Sequence, residues 1–338
     1  MMNRVILDID SVGDDILAVI FGILDPHTSL EAITTVCGAS GDIEQATWVA
    51  LNTVALTHRH IPVYAGKAQP MKPISLEHGD PVNFHELLRG KLGDRLDRFN
   101  EAQSMPSQAA ETTDAVDYII ETVKNNPNEI TIVTTGPMTN LGEAIQKCPD
   151  IASDIKQVIA LGGNFEIAGN ITPLSEYNIW ADPEAAKIVF NSDVKDIILV
   201  PLDICENNDF AASMLSRDDL YDLKTYGKSN DVIEYITHKF PVYIDIWREF
   251  FDLSGFPMDD IITLALVAHP HLCTFSEPVH VDVEVEGTLA RGATVAYFGK
   301  QIMHNPLKEH RNVRIAQSVK GRSFMKLFVD TIIADSYI

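Results

Sequence analysis

The chain has 338 residues, 46% of them hydrophobic and 22% charged, a balance that supports a folded protein with a large core. Its formal net charge of −22 argues against a nucleic-acid partner, which demands a basic footprint. No apolar run reaches the roughly 18 residues of a membrane span, so a membrane partner is not expected either.

Apolar β-branched runs at residues 5–8, 32–36, 130–134, 157–161 and 196–200 read as strands. Helical patterns at 14–23, 43–57, 113–124, 138–146 and 182–190 fall between them. Asp182-Pro183-Glu184 is a helix start, an N-cap aspartate followed by proline at the first helical position. The stretch 66–112 is polar, with only 84–89 suggesting a helix, and reads as a lid-like insertion. After Asp209 the pattern turns mainly helical, with 232–251 and 260–268 as helices. Two antiparallel strands at 280–286 and 293–297 and a helix at 322–333 follow. The expectation is an α/β fold: a doubly wound, mostly parallel sheet flanked by helices, with a mainly helical C-terminal part and a small antiparallel addition. A single domain over residues 1–338 is expected. The first strand begins almost at once, so no signal peptide is read. Cys37, Cys148, Cys205 and Cys273 form no C-x-x-C pair and no short disulfide framework, and a cytoplasmic enzyme is the default.

In such a sheet, ligands bind beyond the carboxyl ends of the strands. The first strand is followed by an unusual crowd: Asp8, Asp10, Asp14 and Asp15. Carboxylates packed this closely repel one another unless protons or a cation compensate, and a hard divalent metal is the simplest compensation. Thr135-Gly136-Pro137-Met138-Thr139-Asn140 follows the strand at 130–134. Beyond 157–161 come Gly169-Asn170-Ile171-Thr172 and Ser175-Glu176-Tyr177-Asn178. Carboxylates, amides and hydroxyls thus gather at one sheet edge, a composition suited to a metal and a polyhydroxylated ligand such as a sugar.

These segments resemble the inosine-uridine preferring nucleoside hydrolases, which cleave the N-glycosidic bond of ribonucleosides. The aspartates match the acidic positions of that family's D-x-D-P-G-x-D-D opening. T-T-G-P-M-T-N and G-N-I-T-P-L-S-E-Y-N-I-W-A-D-P-E-A-A are similar to its T-G-P-L-T-N and G-N-x-T-x-x-A-E-F-N-x-x-x-D-P-E-A-A, and the matches run in the family's order from about residue 4 to 316. The resemblance implies a Ca²⁺ held by Asp10, Asp15, the Thr135 carbonyl oxygen and Asp260. It implies ribose held by Asp14, Asn170, Glu176 and Asn178, and Asp10 as general base on a bound water. His78, in E-H-G-D, matches an H-G of the family's active-site loop and is the expected acid for the leaving base. His85, Asp259, Tyr243 and Trp247 are weaker candidates. A ribonucleoside substrate and a homodimer or homotetramer are implied as well.

Three positions depart from the family pattern. Ser11-Val12-Gly13 replaces its Pro-Gly turn. Val36-Cys37-Gly38 is followed by Ala39-Ser40-Gly41-Asp42, without the asparagine that reaches the substrate in the family. Asp259 stands where many members carry histidine. Without the family, Asp260 reads as a helix N-cap and Asn170 and Asn178 as turn residues. Asp8 is divided between direct contact and a buried orienting role. Trp180, Trp247 and Tyr243 read as packing, and Asp203, Cys205 and Glu206 as structural. Two other functions compete. One is a haloacid-dehalogenase-type phosphatase using Mg²⁺, with Asp8 as nucleophile and Asp10 as acid. The other is a relative that binds ribonucleosides without turnover.

Overall fold

The computed structural model describes residues 2–73, 106, 108–298 and 310–337. In chain order the first half contains β1 (Asn3–Ile9), α1 (Gly13–Leu24), β2 (Thr28–Thr35), α2 (Ile43–Leu56), β3 (Val63–Ala65), α3 (Ala115–Asn125), β4 (Ile130–Thr134), α4 (Thr139–Lys147), β5 (Gln157–Leu161), α5 (Tyr177–Ala181), α6 (Pro183–Phe190) and β6 (Ile197–Val200). The second half contains α7 (Leu202–Cys205), α8 (Arg217–Tyr226), α9 (Asp231–Phe251), α10 (Asp259–Ala265), β7 (Cys273–Phe275), β8 (Val281–Val283), β9 (Thr294–Ala296), β10 (Val313–Val319) and α11 (Gly321–Asp335).

The main sheet has the order β3-β2-β1-β4-β5-β6-β10-β7, and every pairing in it is parallel except β10 with β7. β8 and β9 form a separate antiparallel pair. Helices cover both faces, which is why the central strands are apolar on both sides. Val5, Leu7 and Ile9 of β1 pack with residues of α1, α2, α9, α10 and α11, while Ile6 turns the other way, toward α3, α4 and α6. The order reverses beside β1, whose two neighbours are β2 and β4. The crevice beyond the carboxyl ends of β1 and β4 is therefore where the topology places a ligand.

Asp182 shows how sequence and packing meet in this layer. It caps α6 by accepting from Ala185 N at 3.1 Å, and Pro183 fills the first helical position. Its other oxygen accepts from Thr139 Oγ1 and from Met71 N, each at 2.8 Å, tying α4 and the chain after β3 to α6. The side chain is fully buried. Removing it strands two buried donors and a cap, so Asp182→Ala is expected to cost about 2–4 kcal/mol. Urea unfolding checks this, and an unchanged midpoint would refute it.

The strands at 130–134 and 157–161 coincide with those read from the sequence, and the others differ by a few residues at their ends. Three strands of the main sheet had no counterpart in the reading: β3, β7 and β10. β10 matters most, because it places a seven-residue parallel strand in a part expected to be mainly helical. Its sequence, V-R-I-A-Q-S-V, intersperses Arg314, Gln317 and Ser318 among the buried residues, which masks the apolar signal of a central strand. The helix read at 260–268 ends at Ala265 and continues as turns. The helix expected at 84–89, and nearly all of the lid-like insertion, lie outside the described residues. Among the described residues no helix is long and apolar enough to cross a membrane.

Candidate active site

Three strand ends build the site. β1 delivers Asp8 within the strand and Asp10 just after it. Ser11 then takes a left-handed φ of 61°, uncommon for a residue with a side chain, in the turn where the family pattern has Pro-Gly. That turn starts α1, and Asp15 in the first helical turn accepts from Val12 N at 2.9 Å. β4 delivers Thr135, whose N–H donates to Asp8 O at 2.9 Å and whose Oγ1 donates to Asp15 Oδ1 at 2.6 Å. α10 brings Asp260 from the far side, and its N–H lies 3.4 Å from Asp14 Oδ2.

Asp10, Asp15 and Asp260 are each no more than 3% exposed, and Asp14 is partly buried beside them. Their carboxyl groups lie close enough to act on one another: Asp15 neighbours Asp10 and Asp260, and Asp14 neighbours Asp260. Burial, followed by repulsion from Asp15, pushes Asp14 up to about 7 and holds Asp10 well above the ordinary carboxylate value. Burial and then the charge of Asp14 do the same for Asp260. Four crowded carboxyl groups in an apolar surround can stay together only with shared protons or a cation. Their donors are all hard oxygens, which fits a divalent cation of the calcium type. Among the described residues no group of three acidic, cysteine or histidine side chains is already arranged as a metal cage. The carboxyl oxygens accept instead from nearby N–H and O–H groups, those of Ala39, Val12, Thr135 and Asp260.

The sugar candidates adjoin this cluster. Asn178 Nδ2 donates to Thr135 O at 2.7 Å, so a residue expected on ribose and a carbonyl expected on metal stand together. Glu176 caps α5, accepting from Asn178 N at 2.7 Å and from Ile179 N and Gly163 N at 3.0 Å. Burial outweighs these bonds and raises its carboxyl to about 7. Asn170 lies at the exposed rim, its Oδ1 accepting from Tyr177 N at 2.9 Å.

Asp8 sits behind the cluster. It is fully buried, and its Oδ1 accepts from Thr34 Oγ1 at 2.6 Å and Asn140 Nδ2 at 2.7 Å. A carboxylate enclosed in this way is badly placed to attack a phosphate ester, which counts against the phosphatase alternative. His78 and His85 lie outside the described residues. Asp259 is buried in the site wall. Its Oδ1 has no hydrogen-bond partner among the described residues, and burial, then the charge of Glu206, holds it well above its ordinary value. Tyr243 stacks on Phe240 at 4.9 Å, and Trp247 packs against Phe251 at 4.2 Å, so both have the packing surroundings expected of them.

Two contributors escaped the sequence reading. The loop after β2 lacks the expected asparagine, yet Ala39 N donates to Asp10 Oδ2 at 2.7 Å. Gly38 allows this approach, since a Cβ there would lie 2.1 Å from Asp10 Oδ2. Gly38→Ala is therefore expected to displace Asp10 and lower kcat by about 30-fold or more, with the fold retained. Wild-type kinetics in this variant would show that Asp10 needs no such seat. The second contributor is Glu206, read as structural, which stands beside Asn170 with Nδ2 to Oε1 at 3.5 Å. The only signal available was an isolated carboxylate shortly after a strand end.

The profile of the inosine-uridine preferring nucleoside hydrolases matches residues 5–326. The pyrimidine-specific ribonucleoside hydrolase RihB of Escherichia coli is 29% identical over 293 residues, covering 87% of each chain. Among solved structures, a plant nucleoside hydrolase aligns with a TM-score of 0.84 at 28% identity, covering 99% of this chain and 100% of its own. A purine-preferring ribonucleoside hydrolase from Gardnerella vaginalis aligns at 0.83 and 26%, covering 99% of both.

Proposed function

The chain belongs to the inosine-uridine preferring nucleoside hydrolase family and is a nucleoside hydrolase, and on that premise we propose that it splits ribonucleosides into ribose and free base with Asp10 as general base and Ca²⁺ as cofactor. The observation that carries the proposal is the connected set Asp10–Asp15–Asp260–Asp14 at the β1–β4 crevice, with Thr135 and Asn178 bonded into it.

Asp10, Asp15, Asp260 and the Thr135 carbonyl oxygen would hold the cation. When bound, it would supply a Lewis acid for ribose hydroxyls and for the attacking water. Asp14, Asn170, Glu176 and Asn178 hold the ribose. Asp10, seated by Ala39 N–H, takes a proton from the water as its oxygen bonds to the anomeric carbon. The bond from that carbon to the base nitrogen breaks through an oxocarbenium-like state, which the surrounding carboxylates stabilise. The departing base takes up a proton, and His78 is the proposed donor. Asp259, with its buried and unpartnered oxygen, is the second candidate. A homodimer or homotetramer in the cytoplasm is part of the same proposal, and light scattering of the purified protein tests the assembly.

A reducing-sugar assay over purine and pyrimidine ribonucleosides, with p-nitrophenyl phosphate as a control, tests the activity. Ribose release that chelator abolishes is expected. Phosphate release without ribose release would favour the phosphatase, and nucleoside binding without release would favour a non-catalytic relative.

A further inference from the structure

The short α7 turn after β6 serves the sheet edge twice. Asp203 accepts from Phe165 N at 3.0 Å and Glu166 N at 2.5 Å, pinning the loop that leaves β5. Glu206, at the end of the same turn, sets its carboxyl group against Asn170, whose Nδ2 lies 3.5 Å from Oε1. The opposite end of that amide is already fixed, because Asn170 Oδ1 accepts from Tyr177 N at 2.9 Å. The two contacts engage opposite ends of the amide and together fix its orientation. Asn170 is an exposed side chain in a loop, so these are the contacts that restrain it.

We propose that Glu206 is a positioning residue which, through Asn170, holds the sugar-binding rim of the site in its productive orientation. This rests on Asn170 being a ribose contact. Glu206 itself takes no part in bond breaking, so its loss acts on binding. Only an acceptor oxygen is needed opposite Asn170, and glutamine supplies one.

The test is a kinetic cycle on the Ca²⁺-loaded protein with wild type, Glu206→Ala, Asn170→Ala and the double variant, plus Glu206→Gln. Glu206→Ala is expected to raise KM about fivefold, the worth of one modest hydrogen bond, with kcat within about twofold. Glu206→Gln should stay near wild type. Adding Glu206→Ala to Asn170→Ala should change nothing further, because the two act as one unit. If Glu206→Ala does not fold, Glu206→Leu takes its place in the cycle. Wild-type KM in the single variant, additive effects in the double, or a loss confined to kcat would each overturn the proposal. If wild type releases no ribose from any nucleoside, the hydrolase reading fails. The same cycle is then read by calorimetric ribose binding, where coupled losses support the role of Glu206 and additive or absent losses overturn it.

Discussion

Asp10→Asn, assayed with saturating Ca²⁺, is expected to lower ribose release about 1000-fold while the protein stays folded. Proton transfer by a positioned side chain is worth roughly 10² to 10⁴ in rate. The introduced amide keeps nearly the shape of the carboxylate, and its oxygen can still accept from the Ala39 N–H, as Asp10 Oδ2 does at 2.7 Å. It cannot accept a proton from water, and it removes one negative charge from the cation's surroundings. Saturating Ca²⁺ separates these losses, because weaker metal binding is overcome by concentration and the missing base is not. Activity within tenfold of wild type under those conditions would remove Asp10 from the role of base.

Chelation is expected to have the second large effect, on stability as well as on activity. Burial is the main cause of the raised Asp8 and Asp14 carboxyls, both near 7, and of the higher Asp10 and Asp260. In the metal-free protein these groups bind protons more tightly folded than unfolded. The stability they contribute is therefore fully present below the ordinary carboxylate value near 4 and is lost as pH rises through about 7. Metal-free protein should melt higher at pH 5 than at pH 7.5, by roughly 5 °C or more. A bound cation replaces those protons, so Ca²⁺ should raise the melting temperature at pH 7.5 and remove most of the difference. Melting temperatures that ignore both pH and Ca²⁺ would show that the cluster is neither strained nor a cation site.

Much of this arrangement was legible in the sequence because strand ends have strong signals. The runs at 130–134 and 157–161 are short, rich in β-branched residues and followed within two positions by glycine, and the structure ends β4 and β5 there. The aspartates at the end of β1 stood out because a helix start accounts for Asp14 and Asp15 but not for Asp10 at the strand end. Asp182 was legible as a cap for the same local reason. What escaped depends on contacts distant in sequence. β10 mixes polar with apolar residues and lies next to the sheet's edge strand, so its pattern lacks a central strand's continuity. Ala39 serves Asp10 through a backbone N–H, which any residue but proline carries, so the missing asparagine looked like a loss rather than an exchange. Glu206 faces Asn170 from 36 positions away, and a carboxylate after a strand end is all that marks it locally.

The central claim is that the buried acids form a cation site that shapes ribose cleavage, and a crystal structure of the protein grown with Ca²⁺ tests it most directly. The account expects one ion with oxygen ligands at about 2.3–2.6 Å from Asp10, Asp15, Asp260 and the Thr135 carbonyl. Well-ordered carboxylates clustered with no ion between them at saturating Ca²⁺ would contradict it.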